Sequence, residues 1–287
     1  MPRRIALVTD SSASLLPEVV TAREIAVVPL QVIVAGTAYD EGADLGPEEL
    51  AAALREWKPV STSRPAPERL LAVYRDLAEQ GAEEIVSIHL SAQVSGTFES
   101  AQLAAKESPV PVTCVDSCQV GIGTGFLVLG AADLLDAGAD VEQVVDAVNR
   151  RAGTVTSLFY VDTLEHLRRG GRVGAAAAFL GSALAVKPIL RIDEGRIGPF
   201  EKVRTSARAL SRLEELAVAA AQEGGGPVDL GVCHLASPER AEALAEKLAA
   251  QLETELAGRD VVIGEVGAAL GAHVGPGMVA VVVAPHA

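Results

Sequence analysis

The stretch EEIVSIHLSAQVSGTFESAQLAAKE, residues 83–107, indicates the fold class of this 287-residue chain. An apolar strand ends near His89, a turn of small and polar residues follows, and then a helix begins. The turn places the hydroxyls of Ser95 and Thr97 and the bare backbone of Gly96 at the mouth of the helix. Such a turn presents hydrogen-bond donors where a helix favours negative charge, which predicts an anion site. The structural alternative is that Ser95 caps the helix.

Strand and helix patterns alternate around this stretch through the first half of the chain. RIALVTD, EIAVVPLQVIV and VPVTCVD indicate strands, whereas PEELAAALREW, APERLLAVYRDLAEQG, GTGFLVLGAADLLDAG and DVEQVVDAVNRRAG indicate helices. Alternation with continuous apolar strands predicts an α/β domain with a mostly parallel sheet, which we assign to residues 1–152.

The second half predicts a mixed α+β domain over residues 153–287. TSLFYVDTLEHLRRGGR indicates a strand and a short helix with a glycine stop, and AVKPILRIDEGRIGPFEKVR indicates a hairpin that turns at DEGR. Two long helices, near 205–223 and 237–257, flank the strand VDLGVCHL. The final segment, DVVIGEVGAALGAHVGPGMVAVVVA, indicates two strands around a glycine-rich turn.

Composition and charge exclude several classes of function. The net charge of −14, from 24 basic and 38 acidic residues, argues against nucleic acid binding and against docking on anionic lipid. The N-terminal apolar run is too short for a signal peptide, and no apolar run reaches the about 20 residues of a membrane span. We therefore expect a cytoplasmic protein without stable membrane insertion. The three cysteines argue against a disulfide framework, and we interpret Cys114 as a buried thiol.

Motifs for nucleotides and metals do not occur in the chain. There is no Walker A motif, and the third glycine of GIGTGF falls one place early for a dinucleotide fingerprint. We interpret Gly121, Gly123 and Gly125 as sites of close helix packing. The five histidines lie far apart, without H-E-x-x-H or C-x-x-C, so we expect no metal.

Five short stretches rich in hydroxyls or glycine each follow an apolar strand. In an open α/β sheet such turns gather at the carboxyl ends of the strands, where ligands bind. Hydroxyls and backbone N–H groups suit a carboxylate or a phosphate. Helix capping by Ser11, Ser12, Ser14 and Thr62, and a buried hinge role for His273, are the alternatives. The stretches are VTDSSAS (8–14), VSTSRPAP (60–67), SAQVSGTF (91–98), CVDSCQVG (114–121) and GAHVGPG (271–277).

Taken together, the motifs of this chain resemble the DegV family, fatty-acid-binding proteins that serve as subunits of bacterial fatty acid kinase. The resemblance rests on VTDSSASL, STSRPAP, VSGTFESA, VDS, YVDTLEHLRRGGRVG, LGSALAVKPIL, EKVR and GAHVGPG, which span nearly the whole chain in family order. It implies that one long-chain fatty acid lies in an apolar tunnel between the two domains. A separate ATP-dependent kinase subunit then phosphorylates the carboxylate to an acyl phosphate, so this chain is a binding subunit, needs no cofactor and is not itself a catalyst.

The resemblance also implies roles for individual residues. Arg172 and Arg204 resemble residues that contact the kinase, although Arg172 is alternatively a favourable charge at a helix C-terminus. The chain departs from the family at Arg64, where a neutral residue is usual. That arginine could pair with carboxylate or phosphate, or point to solvent. The implied carboxylate contacts are Thr62, Ser95, Gly96 and His273.

Two other functions remain open at this point. One is a hydrolase with Ser95 as nucleophile and His273 as base, although Ser95 lacks the G-x-S-x-G elbow. The other is a triose-binding, kinase-like subunit that uses His89, for which a core histidine is the alternative. The small residues of GAAAAFLGSALAV would leave room for an alkyl chain, or they could form an ordinary core helix.

Overall fold

The computed structural model describes residues 4–179 and 187–286. Two short 3-10 helices, Ser11–Ala13 and Gly174–Phe179, accompany the strands and α-helices. The strands are β1 (Ile5–Asp10), β2 (Ile25–Val28), β3 (Gln31–Val34), β4 (Thr37–Asp40), β5 (Val60–Ser63), β6 (Glu84–His89), β7 (Val112–Asp116), β8 (Thr156–Tyr160), β9 (Lys187–Asp193), β10 (Arg196–Val203), β11 (Val228–His234), β12 (Val262–Glu265) and β13 (Val279–Pro285). The helices are α1 (Pro17–Ala22), α2 (Pro47–Arg55), α3 (Pro67–Glu79), α4 (Thr97–Ala105), α5 (Ile122–Asp136), α6 (Val141–Ala152), α7 (Glu165–Arg169), α8 (Ser206–Glu223), α9 (Pro238–Gln251), α10 (Glu253–Leu256) and α11 (Ala268–Val274).

The first half is built on a parallel sheet of order β2-β1-β6-β7. Its strands are apolar on both faces because helices cover both faces. Along β1, Ala6 and Val8 pack with residues of α3 and α4, whereas Leu7 packs with residues of α5 and α6. The predicted parallel α/β half is confirmed.

The second half is built on a mixed six-stranded sheet of order β10-β9-β8-β13-β11-β12. All neighbouring pairs are antiparallel except β11 and β12, and the predicted hairpin is formed by β9 and β10. Along β13, Val281 packs towards α8 and α9, whereas Val282 belongs to the core that includes Ile122 and Phe126 of α5. The second face of this sheet therefore packs against the first half. The predicted α/β class with a mixed second half is confirmed.

A small antiparallel sheet of order β4-β3-β5 was not expected from the sequence. The prediction of one strand for EIAVVPLQVIV is wrong, since β2 and β3 lie in different sheets on either side of Pro29. Proline offers no backbone donor and fixes φ, which favours the break. The prediction of a turn at 60–67 is also wrong for its first part, because residues 60–63 form β5.

Several predicted caps are replaced by other contacts. The residues that cap α1 and α3 are Leu16 and Ala66, without a side-chain bond, so the capping roles of Ser11, Ser12, Ser14 and Thr62 are wrong. Ser12 instead donates its hydroxyl to Asp10, and Ser14 donates to the carbonyl of Ser12. These serines therefore stabilise the turn after β1.

The C-terminal region contains a helix where the sequence indicated a glycine-rich turn. The residues AALGAHV form α11 between β12 and β13, so that prediction is wrong; alanine and leucine have high helix propensity. The second long helix is likewise divided into α9 and α10. The close-packing interpretation holds at Gly125, where a Cβ would lie 2.5 Å from the carbonyl oxygen of Ala13.

The predicted boundary near Gly153 falls between α6 and β8 and stays a prediction. Of the small-residue segment GAAAAFLGSALAV, residues 174–179 form the second 3-10 helix, and 180–186 lie outside the described residues. No helix in the described part of the chain combines the length and apolar character needed to span a membrane.

Candidate functional site

A cavity of about 200 Å³ lies between the two halves of the molecule. We call it the central cavity. The first half contributes residues such as Leu90, Val94 and Ile122, and the second half contributes the inner face of its sheet and α11. Its apolar walls suit an apolar ligand, because burying alkyl surface is favourable. The second-half wall includes Phe159, Leu167, Ile192, Leu270, Val274, Met278 and Val282.

Thr62 and His273 meet at this cavity. The hydroxyl oxygen of Thr62, on β5, lies 2.8 Å from Nε2 of His273, in the last turn of α11. Burial lowers the pKa of His273 to about 4, and the positive charge of Arg172 acts in the same direction. His273 is therefore neutral at pH 7. Among the described residues, its buried Nδ1 has no hydrogen-bond partner.

Ser95 and Gly96 line the same cavity from the turn before α4. The Ser95 hydroxyl oxygen accepts the backbone N–H of Thr97 at 3.3 Å and shares a 2.9 Å hydrogen bond with the Thr97 hydroxyl. Although Ser95 lies one residue before the capping position, held by Gly96, it does satisfy the first N–H of α4. The stabilising contact of Ser95 with the start of α4 is therefore compatible with a contact between Ser95 and a ligand.

Arg64 lies against Gly96 at the edge of the cavity. Its Nη1 donates to the carbonyl oxygen of Gly96 at 3.3 Å and lies 3.4 Å from the Glu99 carboxylate, with half of the side chain exposed. A Cβ at position 96 would approach this Nη1 to 2.6 Å, so glycine leaves room for the arginine. Arg64 therefore belongs to the cavity edge and is not directed entirely into solvent.

Arg172, for which the sequence resemblance implied a contact with the kinase, lines the central cavity. The kinase contact itself stays a prediction. The Nε of Arg172 donates to the carbonyl oxygen of Val94 at 3.0 Å, and its Nη1 donates to that of Gly170 at 2.7 Å. Arg204 is exposed beyond the end of β10 and does not line this cavity. No local pattern predicts that Arg172 lines the cavity, because its contact with Val94 joins distant segments.

These contacts join the polar residues into one connected group. Thr62 shares a hydrogen bond with His273, and the charge of Arg172 lowers the pKa of His273. Arg64, directly after β5, donates a hydrogen bond to Gly96. We call this set the polar cluster; its members are Thr62, Arg64, Ser95, Gly96, Arg172 and His273. All four implied carboxylate contacts therefore lie at one cavity, although their role towards a carboxylate stays a prediction.

The first of the five predicted turns, residues 8–14, does not line the central cavity. It contacts the buried residue Glu41 through Ser11. This buried carboxylate accepts the hydroxyl of Ser11 and the backbone N–H of Ala269 at 2.7 Å, in the first turn of α11. Burial raises the pKa of Glu41. Because α11 carries His273, Glu41 positions the polar cluster from outside it. Sequence patterns offered no signal for this role.

The two alternative functions lack their geometry. His273 bonds to Thr62, whereas Ser95 bonds to Thr97, so the nucleophile-base pair of a hydrolase is not formed. His89 is fully buried and bonds to Asp10 at 2.9 Å and to Ser87 at 2.8 Å. It is a core histidine, as the alternative interpretation held, and it does not line the central cavity.

The fold and cavity define a class of two-part α/β proteins that enclose an apolar cavity with a polar cluster at its edge. Comparison with known proteins makes the assignment specific. The profile of the family described as "Uncharacterised protein, DegV family" matches residues 4–286. A DegV domain-containing protein of Streptomyces coelicolor is 50% identical over 283 residues, which cover 99% of each chain. This chain belongs to the DegV family.

Solved structures of related proteins share the whole fold. A DegV family protein from Thermus thermophilus, described for its fatty acid binding, matches with a TM-score of 0.90 at 34% identity over 99% of each chain. DegV from Bacillus subtilis, described as a fatty acid binding protein, also matches with a TM-score of 0.90 at 34% identity, over 98% of this chain and 99% of its own. Fatty acid binding is thus described for members of the family with this fold.

Proposed function

We propose that this protein binds one long-chain fatty acid in the central cavity and presents its carboxylate to a separate ATP-dependent kinase subunit. The kinase converts the carboxylate to an acyl phosphate, which this protein then carries. The observation that supports the proposal most directly is the apolar cavity that meets the hydrogen-bonded pair of Thr62 and His273.

The polar cluster suits a carboxylate for a chemical reason. A neutral imidazole has one N–H, and with that proton on Nε2 it donates to the Thr62 oxygen. The Thr62 hydroxyl is then free to donate its own proton to a carboxylate oxygen. With Thr97 as the donor in their shared hydroxyl hydrogen bond, the Ser95 hydroxyl also has a proton to donate. Arg64 and Arg172 add positive charge at the same place.

The apolar walls supply most of the binding free energy in this proposal. Each buried CH₂ contributes about 0.8 kcal/mol, so a long acyl chain favours the cavity strongly over water. The acid would then travel with the protein, in the cytoplasm where ATP is available to the kinase. Arg204, which is exposed, and Arg172, which is partly exposed, are the proposed contacts for the kinase.

The test is to identify the lipid that copurifies with the protein. After expression in a heterologous bacterium, denaturation should release about one fatty acid per chain, seen by mass spectrometry. Repeated preparations without lipid, and without uptake of added palmitate or oleate, would contradict binding. For the kinase step, Ser95→Ala and His273→Ala should reduce kinase-coupled turnover more than they reduce the unfolding temperature. Unchanged turnover in both variants would remove these residues from the site.

A further inference from the structure

A second cavity, of about 540 Å³, shares His273 with the central cavity. We call it the outer recess. Along β5, Val60 and Ser61 line the outer recess, and the next two residues, Thr62 and Ser63, line the central cavity. The two cavities therefore adjoin one another at β5 and His273. The polar residues of the outer recess are Trp57, Lys58, Ser61, His166, Arg169 and His273.

Arg169 is held in place with free donors. Its Nε donates to Glu165 at 2.7 Å, and its guanidinium carbon lies 4.9 Å from the centre of the Trp57 ring. Within the described ranges, its two terminal amino groups have no hydrogen-bond partner. A guanidinium stacked on an aromatic ring, with its fork open, is suited to bidentate contact with an oxyanion.

The charges around the recess leave an excess of positive charge. Glu165 also bonds to Arg168 through both oxygens at 2.8 Å, so a single carboxylate serves two guanidinium groups. Lys58 is paired with Glu56 at 2.8 Å, and both are exposed. These three basic side chains share two carboxylates, so one positive charge near Arg169 is not compensated. This contrasts with the net charge of the whole chain, which is −14.

Neutral donors complete the lining. The Ser61 hydroxyl and the half-buried ring of His166 have no hydrogen-bond partner in the described part of the chain. Burial lowers the pKa of His166, so its ring is neutral at pH 7 and offers one N–H. Trp57 is 63% exposed and has a left-handed φ of 57°, one residue beyond the cap of α2 at Glu56. This backbone, which is uncommon for residues other than glycine, holds a flat apolar face at the recess.

We propose that the outer recess binds a phosphate-bearing anion. Arg169 contacts the phosphate oxygens through its terminal amino groups, Ser61 and His166 donate further hydrogen bonds, and Trp57 offers a face on which a planar ring can stack. The phosphate can come from free phosphate or from a nucleotide, and stacking favours the nucleotide. The site adjoins the polar cluster through His273, but its occupancy does not require a fatty acid.

The chain offers a direct probe, since Trp57 is its single tryptophan. We expect titration with inorganic phosphate, and separately with ADP, to change Trp57 fluorescence in a saturable way. Broadening of the phosphorus NMR signal of each probe gives a second measurement that does not depend on the indole. Tighter binding of ADP than of phosphate identifies a nucleotide site, and equal binding identifies a phosphate site.

Arg168 supplies the matched control, because it shares Glu165 with Arg169 but does not line the recess. Arg169→Gln should weaken binding about tenfold or more, as expected for loss of a charged hydrogen-bond donor, while Arg168→Gln should have a much smaller effect. Equal effects of both variants, or no saturable response to either probe, would overturn the proposal. Copurified fatty acid is measured on the same samples, so failure of this site is distinguishable from failure of the fatty acid function.

Discussion

The hydroxyl oxygen of Thr62 lies 2.8 Å from Nε2 of His273, although 211 positions separate the two residues in the chain. This pair joins the small antiparallel sheet of the first half to α11 of the second half. Both residues also line the central cavity. Its hydrogen bond therefore links the packing of the two halves to the chemistry of the proposed head-group site.

Removal of the Thr62 hydroxyl should weaken fatty acid binding without unfolding the protein. Thr62→Val keeps the shape of the side chain but loses the donor, so we expect affinity to fall about tenfold. Thr62→Ser keeps a hydroxyl and should bind nearly as the parent does. Displacement of a fluorescent fatty acid measures both affinities. Equal affinity of Thr62→Val and the parent would show that the hydroxyl does not contact the head group.

His273 should make the protein less stable in mild acid. Its folded pKa is about 4, below the ordinary value of 6.5, so the unfolded chain binds the proton more readily. The free energy of unfolding should therefore fall as pH decreases from 6.5 towards 4, by on the order of 3 kcal/mol at most. Urea unfolding across this range measures the slope. His273→Gln should reduce that slope, and an unchanged slope would contradict the assignment.

Glu41 should oppose this trend, because its folded pKa is raised above the ordinary 4.5. Folding then favours the protonated form, so the contribution of Glu41 to stability falls as pH rises above 4.5. Glu41→Gln should remove this dependence and keep an acceptor for the N–H of Ala269. Glu41→Ala should cost about 1–3 kcal/mol, since that buried N–H loses its partner, and should weaken fatty acid binding through α11. Chemical unfolding and fatty acid titration test both variants; full stability of Glu41→Ala would refute the positioning role.

Gly125 should not tolerate a side chain. A Cβ would lie 2.5 Å from the carbonyl oxygen of Ala13, so Gly125→Ala should destabilise the protein by about 1–3 kcal/mol. Gly153 is the matched control, because its Cβ would meet its nearest neighbour, the carbonyl oxygen of Arg150, at an ordinary 3.7 Å. Gly153→Ala should be neutral or slightly stabilising. Thermal unfolding compares the two, and equal midpoints would contradict the packing argument.

The sequence by itself determined the local elements and the fold class. The strand of 83–90 is readable because burial on both faces leaves a nearly continuous apolar run. The helix after Gly96 is readable because burial on one face leaves a helical period. The hairpin of β9 and β10 follows from two strand patterns around DEGR, where Gly195 readily adopts positive φ. Motif order also predicted the DegV family, which the comparisons confirm.

Only the tertiary structure decided which distant residues meet. Neither Thr62 nor Arg172 carries a local signal for its position at the cavity, because hydrogen bonds to His273 and Val94 arise from the packing of separate elements. The division of EIAVVPLQVIV between two sheets has the same cause: apolar residues on both sides of Pro29 fit either sheet, and long-range pairing selects one for each. Periodicity indicates that a residue is buried, whereas the packing of the elements determines which residues it contacts.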